Sequence, residues 1–155
     1  MKLETFAMER MQSTYENEVD FNLSESGVHP LTLAELADDP AARDGLLGEA
    51  LRYTQSNGTP ALREAIAALY PGATRHHVQV TNGGSEANYI TTWKLIEPGD
   101  EVVMMVPNYM QTWGVARAFG ASLREWPLVH DGSRWAIDAD ALDRLVTPGT
   151  KLIVV

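Results

Sequence analysis

The feature that most constrains this chain is a pair of short runs that are apolar at every position. They are Val102-Val103-Met104-Met105-Val106 and Leu152-Ile153-Val154-Val155. A strand that is apolar on both pleat faces must be covered on both, so it belongs inside a sheet with helices on either side. The surrounding pattern agrees. Residues 78–82 (VQVTN) alternate like a strand, 84–96 read as a helix, EPGD as a turn and EVVMMVP as a strand. A second helix over roughly 109–119 ends at Gly120, and SLREWPLV follows as a strand. Then come DGSRW, a short helix begun by Asp138, the turn TPGT and a last strand, KLIVV. Strands alternating with helices predict an α/β fold, a three-layer sandwich around a mostly parallel sheet.

The first half of the chain is less regular. Residues 1 to about 20 read as an irregular or partly helical arm, and VDFNLSESGVHPLTL as a strand-like run that gives way to a loop around Gly27 and Pro30. Leu33, Leu36, Leu46, Leu47 and Leu51 are interrupted by DDPAARDG, which predicts short helical pieces. Thr59-Pro60 starts a helix with a hydroxyl N-cap and proline in the first turn. Leu62, Ile66 and Leu69 give that helix an apolar stripe. No repeat, low-complexity segment or interdomain linker is visible. The expected organisation is an arm over residues 1–30 and one α/β domain over 31–155. Because domains seldom stop on the last residue of a core strand, the domain is expected to continue beyond Val155.

With 155 residues, 45% apolar and 21% charged, the chain has the composition of a globular domain. A formal net charge of −9 argues against nucleic acid as a partner, which would call for a basic face. There is no cysteine, hence no disulfide and no thiolate metal site. The N-terminus lacks the apolar core of a signal peptide, and no apolar run is long enough to span a membrane. A cytoplasmic location is the expectation.

Chemistry concentrates at Thr81-Asn82-Gly83-Gly84-Ser85, where a strand-like segment hands over to a helix. In a parallel α/β sheet ligands gather where strand C-termini meet helix N-termini. First-turn N–H groups have no internal partner and carry partial positive charge, which suits a phosphate. Gly83 and Gly84 let backbone approach closely, and the Ser85 hydroxyl adds a donor. The same residues would also serve a tight turn with Ser85 as a cap. The pattern is neither the P-loop nor the dinucleotide glycine fingerprint. A second group is VPNYMQTWG, where Tyr109 follows the next strand; in isolation its ring is more easily read as core than as a stacking surface. A third is YTQSNGTPALR, with Tyr53 in a loop that does not need it for packing.

Taken in order, these groups resemble the fold-type I, pyridoxal phosphate (PLP)-dependent aminotransferases of class I/II. The family's Tyr-x-x-x-x-Gly-x-x-x-Leu-Arg segment is matched by Tyr53, Gly58, Leu62 and Arg63. Its phosphate-binding turn is matched by Thr81, Gly83, Gly84, Ser85, Glu86 and Ala87, and its strand ending in Pro-x-Tyr by PGDEVVMMVPNY. The resemblance runs from about residue 20 to the end. It implies that Gly84 and Ser85 hold the cofactor phosphate with Gly83 opening the turn, and that Tyr109 stacks on the pyridine ring. It further implies that Tyr53 reaches the phosphate in a neighbouring subunit, in a homodimer with shared active sites. Gly27 falls loosely in the family's substrate-binding segment. The implied substrates are an amino acid and a 2-oxo acid, exchanging an amino group.

The family's Asn-Pro-x-Asn-Pro-Thr-Gly segment, the aspartate facing the pyridinium nitrogen, the Schiff-base lysine and the carboxylate-gripping arginine have no match. Lys2, Lys94 and Lys151 are all in other contexts, so no catalytic residue is assigned and the 155 residues alone are expected to be inactive. Two other readings stand beside amino transfer: a different reaction on the same cofactor (cyclase, lyase or decarboxylase), and a phosphate-binding α/β module without covalent chemistry. No metal site is expected. His76 and His77, taken as entering a strand, would point to opposite faces, and His29 and His130 stand alone beside loops. Trp93, Trp113, Trp126 and Trp135 read as core or interface residues, and DADALDRL as a helix start with a solvated face.

Overall fold

The structure, a computed structural model, describes residues 2–24 and 27–155. Along the chain come helices α1 (Ala7–Tyr15), α2 (Leu33–Leu36), α3 (Pro40–Gly48) and α4 (Pro60–Ala67), and a 3-10 turn at Arg75–His77. Helix α5 (Gly84–Leu95), strand β1 (Glu101–Val106), helix α6 (Gln111–Ala118) and strand β2 (Ser122–Pro127) follow. The chain closes with β3 (Val129–His130), β4 (Trp135–Ala136), α7 (Ala139–Leu145) and β5 (Thr150–Val154). It divides into two compact units, one of Met1–Arg10 with Val80–Val155 and the other of Met11–Gln79.

The first unit is built on a parallel sheet in the order β2-β1-β5. It is the α/β architecture that the alternating strands and helices predict. Strand β1 is central because it alone can be covered everywhere: Val102, Val103 and Met104 are each 0% exposed. Val102 lies in register with Leu123 of β2 and Leu152 of β5, and it packs with Ile96 and Ala116 from the flanking helices. Helix α6 stops at a left-handed glycine, Gly120 (φ +90°), which faces Pro98 so closely that a Cβ would sit 3.3 Å from the proline ring.

Four strand expectations differ from the structure. Residues 78–82 join neither outer edge of the β2-β1-β5 sheet, and the Val78 carbonyl accepts instead from Arg63 Nε at 2.9 Å. The strand-like run after Val19 bends, because the Asn22 side chain accepts from Ser24 N–H (3.0 Å) and Ser24 hydroxyl (2.9 Å), closing a local turn. SLREWPLV is not one strand. It ends at Pro127, which lacks the N–H a ladder needs, and Val129–His130 pairs antiparallel with Trp135–Ala136 in a separate hairpin. The final run is buried on one face only: Ile153 of β5 is 40% exposed, while Leu152 and Val154 pack inward.

The second unit is helical. Thr32 closes a capping box with Glu35 at the start of α2, Asp39 accepts from Ala41 and Ala42 N–H ahead of Pro40, and Thr59 accepts from Leu62 N–H ahead of Pro60. Arg63 ties α4 to the segment after it through bonds to the carbonyls of Val78 and Arg75. That gives the Leu-Arg of the tyrosine motif a structural role. Of the tryptophans, Trp126 is buried and donates from Nε1 to the Asp138 carbonyl (2.8 Å), but Trp93 and Trp135 face outward.

Candidate functional site

The glycine turn is the N-terminus of α5. Gly83 is its N-cap residue at φ +86°, a left-handed conformation that glycine adopts without strain, and no side chain caps the helix. An ideal Cβ added at Gly83 or at Gly84 would meet nothing within 4 Å, so this corner is open. Thr81 hydroxyl donates to the Gly83 carbonyl (3.0 Å), and the Asn82 N–H donates to the Glu86 carboxylate, which folds back from the first turn. With Asn82 so engaged, the N–H groups of Gly84, Ser85 and Glu86 have no acceptor among the described residues. Three aligned donors at the positive end of a 12-residue helix are suited to an anion.

Tyr109 is brought to the same corner by the loop between β1 and α6. Asn108 accepts from the Tyr109 N–H through its side chain (2.7 Å), and Gln111 at the start of α6 donates to the Ser85 carbonyl (2.8 Å) and meets Asn88 Nδ2 (3.3 Å). The two glutamine contacts join α6 to α5 beside the open N–H groups. Tyr109 is 37% exposed, and its hydroxyl donates to Glu9 Oε1 at 2.7 Å. The Glu9 carboxylate, with the nearby Ser85 hydroxyl acting the other way, holds the Tyr109 phenol above its ordinary ionisation range. The Phe6 ring meets the Tyr109 ring edge-on, 5.0 Å between centres and 61° between planes.

The structure therefore brings Gly83, Gly84, Ser85 and Tyr109 together in one unit. Tyr53 and Gly27 belong to the other. Tyr53 is fully exposed in its loop, and Gly27, also exposed, follows Glu25 and Ser26, which lie outside the described residues. Sequence reasoning missed Glu9, Phe6 and Gln111. Gln111 lies two residues past Tyr109 and was within reach of the motif. Glu9 is separated from Tyr109 by 100 positions, and nothing local marks it. A separate apolar hollow of about 560 Å³ lies between residues 3–8 and α6, walled by Leu3, Phe6, Met110, Trp113 and Val115, and it includes none of the turn residues.

The histidine reading changes in its reason. His76 and His77 sit in a 3-10 turn, not at a strand entrance, and His77 Nδ1 accepts from the Thr74 N–H (2.9 Å). Among the described residues no three of His, Cys, Asp and Glu gather as metal ligands would, and no helix is long and apolar enough to cross a membrane.

A family model described as aminotransferase class I and II matches residues 22–155. Capreomycidine synthase of Streptomyces vinaceus is 42% identical over 141 residues, which is 86% of this chain and 35% of that protein. The crystal structure of a PLP-dependent aminotransferase from Streptococcus suis superposes with a TM-score of 0.88 at 31% identity, covering 99% of this chain and 42% of the other. The PLP-dependent cyclase OrfR superposes with a TM-score of 0.83 at 34% identity, covering 100% and 41%. The chain thus spans about a third of the length of the curated relatives it matches.

Proposed function

The chain belongs to the class I and II aminotransferases, a family of PLP-dependent enzymes, and from that premise we propose that it is the N-terminal portion of a cytoplasmic enzyme that moves an amino group between an amino acid and a 2-oxo acid. The observation that carries the proposal is the open N-terminus of α5 beside Tyr109. Gly84, Ser85 and Glu86 N–H groups and the Ser85 hydroxyl would hold the cofactor phosphate, with left-handed Gly83 keeping the approach clear. Tyr109 would lie against the pyridine ring. When bound, PLP supplies an electron sink for the bond broken at the substrate α-carbon. This chain's residues bind and orient that group. The covalent anchor and the grip on the substrate carboxylate are left to residues outside 1–155, so these residues alone would hold PLP reversibly and catalyse nothing.

In the same reading residues 1–30 form an arm and 31–155 the first part of the large domain. The intact enzyme is a homodimer in which Tyr53 reaches the phosphate bound by the partner, and Gly27 lies near the substrate. The exposed ring of Tyr53 supports that role, since nothing in its own unit covers it.

Titration of the intact protein with PLP tests the site. Ser85→Ala removes a hydrogen bond to a charged acceptor, worth about 1.5–3 kcal/mol, and should weaken PLP binding accordingly. Unchanged affinity would remove Ser85 from the site. A second reading keeps the cofactor and changes the reaction to a cyclisation, favoured by the 42% identity to capreomycidine synthase and the likeness to OrfR. Supplying the loaded enzyme with an amino acid and a 2-oxo acid separates the two. Amino transfer yields a new 2-oxo acid and a cyclase yields none.

A further inference from the structure

Three contacts join the N-terminal segment to the loop and helix after β1. Glu4 pairs with Arg117 at 3.0 Å, Phe6 meets the Tyr109 ring edge-on, and Glu9 accepts from the Tyr109 hydroxyl at 2.7 Å. Phe6 immediately precedes α1 and Glu9 lies in its first turn. Between them they grip the ring and the hydroxyl of a single tyrosine. The exposed Glu4–Arg117 pair contributes little. The hydroxyl-to-carboxylate bond is of the short, charge-assisted kind and is the stronger contact.

A tyrosine on a loop has two free side-chain torsions; a bond to the hydroxyl at the far end restrains the first, and a ring packed against its face or edge restrains the second. Packing alone would not require this, as the ring is partly exposed. The loop that carries Tyr109 is tied to the open turn by the Gln111 bond to the Ser85 carbonyl (2.8 Å). We propose that Glu9 is a positioning residue for the cofactor: by holding the Tyr109 hydroxyl it fixes the direction in which the ring that lies against the pyridine extends, while the edge-on Phe6 ring limits rotation about that axis. The inference rests on the placement of Tyr109 proposed above. It makes residues 6–9 part of the cofactor site and not a loose arm.

The test is PLP titration of the intact protein carrying Glu9→Ala, Glu9→Gln, Tyr109→Phe, Tyr109→Ala or Glu9→Ala with Tyr109→Phe. Glu9→Ala should weaken PLP binding about tenfold. Glu9→Gln keeps an acceptor oxygen and should recover most of the affinity. In the Tyr109→Phe background Glu9→Ala should have no effect, because the hydroxyl through which it acts is gone. An alkaline ultraviolet titration supplies a second readout. One tyrosine, identified by its absence in Tyr109→Phe, should ionise at lower pH once Glu9 is removed. An equal loss of PLP affinity in both backgrounds overturns the inference, as does full affinity in Glu9→Ala while Tyr109→Ala loses the cofactor. Full affinity in Tyr109→Ala overturns the stacking reading, and this inference with it.

Discussion

Residues 80–155 and 11–79 are of similar length and comparably rich in apolar side chains, but they use them differently. In the first stretch Val102, Val103, Met104, Ala116, Val115, Trp126 and Ile96 are buried. In the second, among the described residues, only Ala37 and Ala67 are, and Leu46, Leu47, Leu51, Leu62, Leu69 and Tyr70 remain exposed. The difference lies in what each pattern needs to complete itself. A parallel sheet with helices between its strands supplies both the buried surface and its cover from one stretch of chain. A short amphipathic helix supplies one face and leaves its partner unspecified. The apolar stripe of α4 is thus a statement about orientation, not about burial.

The largest test of this contrast is a pair of truncations. Met104→Ala should cost about 2–5 kcal/mol, and the same experiment on Leu69→Ala should move stability by no more than about 0.5 kcal/mol. Chemical denaturation measures both. A comparable cost at Leu69 would break the contrast, showing that its stripe is covered in solution. Next is Arg63→Ala, which removes the two charge-assisted bonds to Val78 and Arg75 carbonyls that tie the helical unit together. The partly exposed site should lose about 2 kcal/mol, and hydrogen exchange should place the loss in residues 60–79 and leave β1 protected.

Smaller still is the effect at the turn itself. Gly83→Ala forces a side chain into left-handed backbone at a cost of about 1–2 kcal/mol. Gly84→Ala enters open space at a helical position and should stay within about 0.5 kcal/mol by thermal melting. Equal penalties would mean that the turn is crowded and cannot admit a phosphate. The smallest effect is expected at the β3–β4 hairpin, an exposed feature of the better-packed unit. Hydrogen bonds from Ser133 and Arg134 lower the Asp131 carboxyl from 3.8 to about 2. A folded value below the unfolded one means the stabilisation is present above pH 3.8 and is lost as pH falls through about 2. Carboxyl chemical shifts followed by NMR should show that midpoint, with β1 amides unchanged across the same range.

Much of the fold could be read because its signals are local. The hydroxyl and carboxylate caps at Thr59 and Asp138, the proline at position 60 and the left-handed glycine at 120 each end or begin an element using neighbours in sequence. The open turn was visible for the same reason, since Gly83, Gly84 and Ser85 are adjacent. Residues 78–82 show the limit. Their alternation is that of a strand, but alternation does not choose a partner: the segment pairs with neither outer edge of the sheet, and Arg63 takes the Val78 carbonyl. Tyr109 shows a second limit. Its position after a strand identified the corner, but not that Glu9 and Phe6 would hold it.

What the sequence determined by itself is therefore the identity of the elements around β1 and the chemistry of the α5 N-terminus. Both follow from apolar periodicity, capping and backbone freedom within a few residues. What only the tertiary structure decided is pairing: which strands flank β1, which runs stay without a ladder, and which side chain meets the Tyr109 hydroxyl. Those choices depend on contacts between residues as far apart as 9 and 109. Such contacts form only once the chain has paid the entropy of bringing distant segments together, and no local pattern encodes which of the available partners will be there.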